Sequence, residues 1–317
     1  MKCKAGKESF LARAIVSAVA LLLAKPESAQ AATVSVVPDA DSFMRSLAPA
    51  SNYGAGGALS VSGAAAVNGL GVQNGLFDTL IRFPASNIVA ALDNAMGQHD
   101  WIVTGVQLVL SEMAAPDNAV FNRGIGAFEV RFQAADAWLE GTGKPNAPTS
   151  DGVTWNDLPG LVNSNRDVSL GIFTNAGVNS QSAFALALAD NFITDVRQGN
   201  EVSLLLTAAS PEVGFTFNSR NFGNTNAQPR LDVTALPNPR PMFDSVASMG
   251  EDIVVSFSAT TNWVYQLQRA DFMAATQSEA WSNVLTISPQ VSPTNVVYSE
   301  RLTNTRGFYR LSVSPLR

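Results

Sequence analysis

The chain has 317 residues, 46% of them hydrophobic, with a formal net charge of −6, one cysteine and one histidine. An acidic chain of this kind is a poor partner for nucleic acid, whose phosphates call for a basic surface. A single cysteine, Cys3, excludes an internal disulfide or a site built from several thiolates.

Lys2, Lys4, Lys7 and Arg13 precede an apolar run from Ala14 to Ala24 and a small-residue site, Ala29-Gln30-Ala31. That order predicts a secretory signal peptide over residues 1–31 and a mature chain starting at Ala32. The apolar run is well short of the roughly 20 residues that span a bilayer, so no transmembrane anchor is expected. Five of the 20 Lys and Arg and two of the 26 Asp and Glu lie in residues 1–31, leaving 15 against 24 and a mature charge of −9. Cys3 leaves with the leader. The expected location is extracellular or at the cell surface.

Beyond the leader the dominant signal has period two. Candidate strands are residues 33–37, 42–47, 58–62, 79–83 and 102–113, followed by Phe128-Glu129-Val130-Arg131-Phe132, Phe184 to Leu188, 202–207, 214–218 and 230–233. Alternation of apolar and polar residues, broken by Gly, Asn, Pro and Ser clusters, marks strands with one face in a core. About ten such strands imply an all-β fold, a jelly-roll-like antiparallel sandwich over residues 32–236. Two short helices are expected as connections, one capped by Ser86 and running to Met96, the other from Asn191 to Gln198. Residues 63–74, 141–151 and 163–181 read as long loops, the usual place for binding residues on such a scaffold.

Three prolines at 237–242 predict a stiff linker. A small β-rich unit follows at 243–317, with strands near 253–259, 263–269, 283–287, 296–301 and 308–313. Its Tyr265-Gln266-Leu267-Gln268, Trp281 and Gly307-Phe308-Tyr309-Arg310-Leu311 resemble small modules at the C-termini of large secreted bacterial proteins. No particular role follows from them.

Two tryptophans flank a turn-rich stretch, as Trp138-Leu139-Glu140-Gly141 and Gly152-Val153-Thr154-Trp155-Asn156. With Asn52-Tyr53-Gly54, Leu80-Ile81-Arg82-Phe83, Phe217-Asn218-Ser219-Arg220 and Pro229-Arg230-Leu231-Asp232-Val233, they resemble the DNRLRE domain in order. That β-module is grouped with carbohydrate-binding module family 96. The resemblance covers roughly residues 33–235. It implies polysaccharide binding, with sugar contacts in a groove carrying charged residues, where Arg82 and Arg220 match the family's arginine-bearing strands.

The residues themselves point the same way. Sugar rings stack on aromatic faces while their hydroxyls and carboxylates call for amides and guanidinium groups. Asn52 with Tyr53, and Trp155 with Asn156, supply such pairs; equally, Trp155 can plug the end of the core, and Trp138 reads as core. Arg82 lies on the strand face of Leu80, opposite Ile81 and Phe83, and Arg220 on the face opposite Phe215 and Phe217. Both are candidates for binding or for ion pairs within the sheet.

Enzyme signatures are sparse. His99 lies in a turn with no nucleophile motif beside it, so a catalytic triad is not expected. Glu112, Glu129, Glu140 and Glu212 leave a hydrolase with two acids open, and Tyr53 with an arginine leaves a lyase open. No cofactor is expected beyond a structural calcium, for which Asp39 and Asp41 near the first strands and Asp232 on the last are the candidate ligands. The leading expectation is a secreted, non-catalytic, polysaccharide-binding module, and the alternative is a structural or adhesive surface protein.

Overall fold

The computed structural model describes residues 30–113, 119–175, 180–239, 241–260, 263–270, 281–290, 292–301 and 308–315, so nearly all of the expected leader lies outside the described residues. Strands dominate. In chain order they are β1 (Ala32–Val36), β2 (Ala40–Arg45), β3 (Ala58–Ser62), β4 (Val67–Asn68), β5 (Phe77–Pro84), β6 (Trp101–Ser111), β7 (Asn122–Arg123), β8 (Gly126–Gln133), β9 (Val168–Asn175), β10 (Gln181–Ala185), β11 (Glu201–Ala208), β12 (Gly214–Asn218) and β13 (Arg230–Pro237). Helices α1 (Ala85–Met96), α2 (Leu158–Leu161) and α3 (Asp190–Gln198) are short.

The strands form the two antiparallel layers of a sandwich. One sheet has the order β1-β13-β6-β10; the other runs β12-β3-β5-β11-β8-β9, with β2 lying along β5. The first and last strands of the unit are neighbours, Val34 opposite Val233. Alternation decides which side chains enter the core. Phe128, Val130 and Phe132 of β8 and Val202, Leu204 and Leu206 of β11 meet Val106, Leu108, Leu231 and Val233 from the smaller sheet. Each such side chain, once buried, contributes roughly 1.5–3 kcal/mol.

Helices α1 and α3 close one end of this core, burying Ile88, Leu92, Phe192 and Val196. Gly199 stops α3 in the left-handed region, φ +72°, where a residue without Cβ is unstrained. The stretch 163–181, read from sequence as loop, contains β9. Its Val168-Ser169-Leu170 has the alternation of a strand, but Gly171 and Asn175 mask it. Gly171 adopts φ +146°, and a Cβ there would lie 2.6 Å from the Phe173 ring.

A second core follows. Strands β14 (Ser245–Met249), β15 (Asp252–Ala259), β16 (Trp263–Ala270), β17 (Ser282–Ile287), β18 (Thr294–Arg301) and β19 (Phe308–Pro315) make two three-stranded sheets, β14-β15-β18 and β17-β16-β19. Phe257, Trp263, Tyr265 and Leu267 are buried within it. Pro237, expected to open the linker, is instead the last rung of β13, opposite Trp101. Leu236 and Ile102 pack into the second core, so the two units touch through the end of the β13·β6 ladder.

Candidate functional site

The larger sheet is covered on its outer face too, along part of its width. Residues 134–162, between β8 and β9, form a strap that crosses β2, β5 and β11. Trp138 and Val153 of the strap are buried with Ala40, Met44 and Leu80, and Trp155, Leu158, Leu161 and Leu205 pack around them. Leu80 faces away from the main core, as alternation requires, yet it is buried because the strap lies over it.

The strap is fastened from below by residues whose sequence pattern suggested binding. Asn52 is fully buried. Its Nδ2 donates to the carbonyls of Glu140 at 2.7 Å and Val153 at 2.9 Å, while its Oδ1 accepts from the amides of Gly54 at 3.1 Å and Gly143 at 3.2 Å. Backbone bonds between Asn52 and Thr149 and from Ala55 to the Gly143 carbonyl complete the joint. The glycines make this approach possible. A Cβ on Gly54 would lie 1.9 Å from the Glu140 carbonyl oxygen, and Gly141 adopts φ +78° with its Cα side against the Asn52 amide.

Arg82 holds the other side. Its guanidinium meets the Asp39 carboxylate with two bonds, at 3.0 and 3.2 Å, and donates to the strap carbonyls of Asp136 at 2.9 Å and Trp138 at 3.1 Å. It also lies 5.3 Å from the Trp138 ring centroid. The Trp138 indole donates to Ser203 Oγ at 2.9 Å. Arg220 pairs with Glu140 at 2.6 Å, and its backbone amide donates to Asp41 Oδ2 at 2.6 Å. Arg82 and Arg220 are therefore fasteners joined to Asp39 and Glu140. The Arg82 fork is taken up by Asp39 and two strap carbonyls, whereas Arg220 spends one guanidinium nitrogen on Glu140.

Tyr53 has a different fate from the one its sequence context suggested. Its ring is 4% exposed and stacks on Phe43 with centroids 4.5 Å apart and planes 8° from parallel, so it presents no face to a ligand. Trp155 is half-buried against the strap core. It begins a 3₁₀ turn capped by a reciprocal pair, Thr154 and Asp157. Asn156, next to it, is exposed.

The aspartates expected at a calcium site do not come together. Asp232 lies on β13 of the smaller sheet, bonded to Arg230 and to Ser35 Oγ, whereas Asp39 pairs with Arg82 and Asp41 lies on β2 of the larger sheet. Among the described residues no group of three or more His, Cys, Asp or Glu is placed to hold a metal ion. Of the four candidate glutamates, Glu129 pairs with Arg131, Glu140 pairs with Arg220, Glu112 bridges to β12, and Glu212 is exposed.

Asp41 is the most perturbed carboxyl of the region. Fully buried, it has one oxygen, Oδ1, with no hydrogen-bond partner. Burial pushes its pKa up to about 8, against the Arg220 amide that favours the anion. Glu140 stands beside it, accepting from the Asp41 amide at 3.2 Å. Asp41 has no surface through which to touch a substrate.

What the strap leaves open is a groove of about 830 Å³. Trp138, Leu139, Val153 and Leu161 supply its apolar lining, and Ser150, Thr154, Asn156, Asp151 and Asp157 supply polar groups. Leu139 is 69% exposed and offers an apolar surface there. Asp151 is fixed by three bonds, from Thr149 Oγ1 and from the Thr142 amide and hydroxyl, which hold its pKa down at about 2. Of the residues expected to touch a ligand, Asn156 lines this groove, and Trp138, Leu139, Gly152, Val153 and Thr154 of the two tryptophan motifs line it too. Ser150, Asp151 and Asp157 were not among the expected ligand contacts, for none stands in an amide–aromatic pair. The glycines at 141, 143 and 152 were the available signal, since glycine clusters mark close backbone approach.

Compared with known families and with characterised proteins, the chain matches no family model and no characterised protein at a significant level.

Proposed function

We propose that the chain is a secreted, non-catalytic carbohydrate-binding protein, and that a polysaccharide segment lies in the groove beside the strap. The observation that carries this reading is a ligand-sized groove formed on a loop pinned at both sides by buried hydrogen bonds. Pinning matters because a site that is already ordered loses little entropy when it binds. Leu139 offers apolar surface for a sugar face, and Asn156 and Ser150 offer amide and hydroxyl partners for its hydroxyl groups. The DNRLRE-like order of motifs supports the class, and the charged-then-apolar leader supports export. Among the described residues no helix is long and apolar enough to cross a membrane.

A screen of the exported protein against oligosaccharides tests the reading, with Asn156→Ala as the paired variant. Binding by the parent and roughly tenfold loss in the variant are expected, the size of one lost hydrogen bond of about 1.4 kcal/mol. A structural or adhesive role is the second reading. It is favoured by Asn52, Arg82 and Arg220 all being engaged in internal bonds, and a parent that binds no oligosaccharide would establish it over the first.

A further inference from the structure

The second unit divides its charges unequally between its two sheets. Its described acids all lie on the β14-β15-β18 side: Asp244 ahead of β14, Glu251 in the turn before β15, Asp252 on β15 and Glu300 on β18. The described strands of the other sheet, β17-β16-β19, hold two arginines and no carboxylate. Of these two, Arg269 pairs with Glu300. Over residues 243–317 the sequence has five arginines against six acids, a net of −1, whereas residues 32–242 have ten cations against 18 acids, a net of −8. Asp271, Glu279, Arg306 and Arg317 of that count lie outside the described residues. An anion therefore meets far less repulsion at the second unit than at the first.

Arg310 is oriented by uncharged partners. Alternation along β19 sends Tyr309 and Leu311 to the core and leaves Arg310 exposed on the outer face, beside Gln268 of β16. Its Nε donates to Gln268 Oε1 at 2.6 Å, and Gln268 Nε2 donates in turn to Asn283 Oδ1 at 2.6 Å, the register neighbour on β17. The guanidinium also lies 4.5 Å from the centroid of the Trp281 ring. A relay across three strands and an aromatic seat thus fix a side chain that would otherwise sample many rotamers. The far end of the fork is not used: among the described residues neither Nη1 nor Nη2 has a hydrogen-bond partner, and Arg310 pairs with no carboxylate. Arg82, by contrast, spends its fork on Asp39. Gln266, with Thr286 and Ser312 on either side of it, continues the polar outer face.

We propose that this face is a second glycan site, for a sugar that bears an acid group, carboxylate or sulfate. Two oxygens of the anion accept from Nη1 and Nη2 of Arg310 in a bidentate, charge-assisted pair. Gln266, Thr286 and Ser312 meet hydroxyls of the adjoining sugars. Gln268 and Trp281 are positioning residues that hold the guanidinium ready, so little order has to be gained on binding. The site is separate from the groove beside the strap and does not depend on it.

The test is calorimetric titration of the exported protein with tetrasaccharides of galacturonate, sulfated galactose and plain galactose, in low and high salt. An acidic chain should bind, more weakly as salt rises, and the tighter of the two identifies the acid group as carboxylate or sulfate. Arg310→Gln should weaken that binding on the order of tenfold or more, and Arg310→Lys should restore only part of it, since an ammonium has no fork. Arg310 is exposed, so both variants should melt as the parent does. Arg197→Gln is the charge control, for Arg197 is also exposed and lies 6.0 Å from the Trp101 ring centroid. It should leave the affinity unchanged, as should Asn156→Ala in the groove. No binding of either acidic chain, binding indifferent to Arg310→Gln, or an equal loss from Arg197→Gln would overturn the proposal. So would loss of the acidic chain in Asn156→Ala, which would place the acid in the groove, or an equal loss of plain galactose in Arg310→Gln. Neutral chains that fail only in Asn156→Ala report on the groove alone.

Discussion

Asn52 and Glu140 are joined by a hydrogen bond of 2.7 Å from a buried side-chain amide to a backbone carbonyl 88 positions away. Through it and three companion bonds, one side chain fixes the path of the whole strap. Asn52→Ala is expected to strand the carbonyls of Glu140 and Val153 and the amide of Gly143. Each unsatisfied buried group costs about 1–3 kcal/mol, so a loss of roughly 3 kcal/mol in urea unfolding is expected. A loss under 0.5 kcal/mol would show that the strap is held elsewhere.

Arg82 is expected to behave as a structural residue. Its forked contact with Asp39 and its two carbonyl bonds need a planar guanidinium, which lysine cannot reproduce. Arg82→Lys and Arg82→Ala should therefore both lower stability, by about 2–3 kcal/mol for the alanine variant. Thermal unfolding checks the stability, and limited proteolysis should show earlier cutting within residues 134–162. Full rescue by lysine would mean that only charge matters at this position.

Gly54 and Gly141 should tolerate no side chain. A Cβ at Gly54 would overlap the Glu140 carbonyl, and Gly141 has positive φ as well as the Asn52 amide in the way. Each alanine variant should lose on the order of 2 kcal/mol or more, read as a lowered midpoint of thermal unfolding. Gly57, which has open space around it, is the control and should change by less than about 0.5 kcal/mol.

Stability should fall as the pH rises. Asp41 titrates at about 8 when folded against 3.8 in the reference state, and Asp78, recessed on β5, at about 7, in both cases because burial disfavours the anion. Between the unfolded and folded values the folded chain holds protons that the unfolded chain has released. These groups' stabilisation is complete below about pH 4 and is lost as pH rises through 7 to 8, with a slope of up to about 1.4 kcal/mol per unit for fully buried Asp41 and less for half-buried Asp78. Asp41→Asn should flatten the profile above pH 6. A melting temperature that climbs from pH 5 to pH 8 would contradict this assignment.

Much of the fold was legible because its cause is local. Alternation at Phe128-Glu129-Val130-Arg131-Phe132 and at Leu231-Asp232-Val233 is written in consecutive residues, and both became strands of opposite layers. Helix α1 began one residue before its expected cap at Ser86. The small strand β14 was not legible, since all five of its residues are exposed and it has no buried face to alternate with. The site was less legible still. Asn52, Arg82 and Arg220 stood out because they are polar residues within strand and turn patterns, but that signal is the same for a residue that meets a ligand and one that holds a loop. Only the path of residues 134–162 distinguishes them, and that path depends on contacts such as Asn52 with Glu140 that no periodicity records. Tyr53 misled for the same reason: its position beside Asn52 suggested a loop aromatic, while its actual partner, Phe43, comes from β2.

If a glycan lies in the groove beside the strap, as proposed, filling that groove with a side chain must weaken its binding. Leu139→Arg places a long charged side chain at a position that is already 69% exposed, so folding should be unaffected. Titration of parent and variant with the tightest-binding neutral oligosaccharide, alongside their melting temperatures, is the measurement. Binding should weaken by at least about tenfold, a change of roughly 1.4 kcal/mol, with the melting temperature unchanged. Undiminished binding by a folded Leu139→Arg protein would contradict it and move the glycan to another face of the molecule.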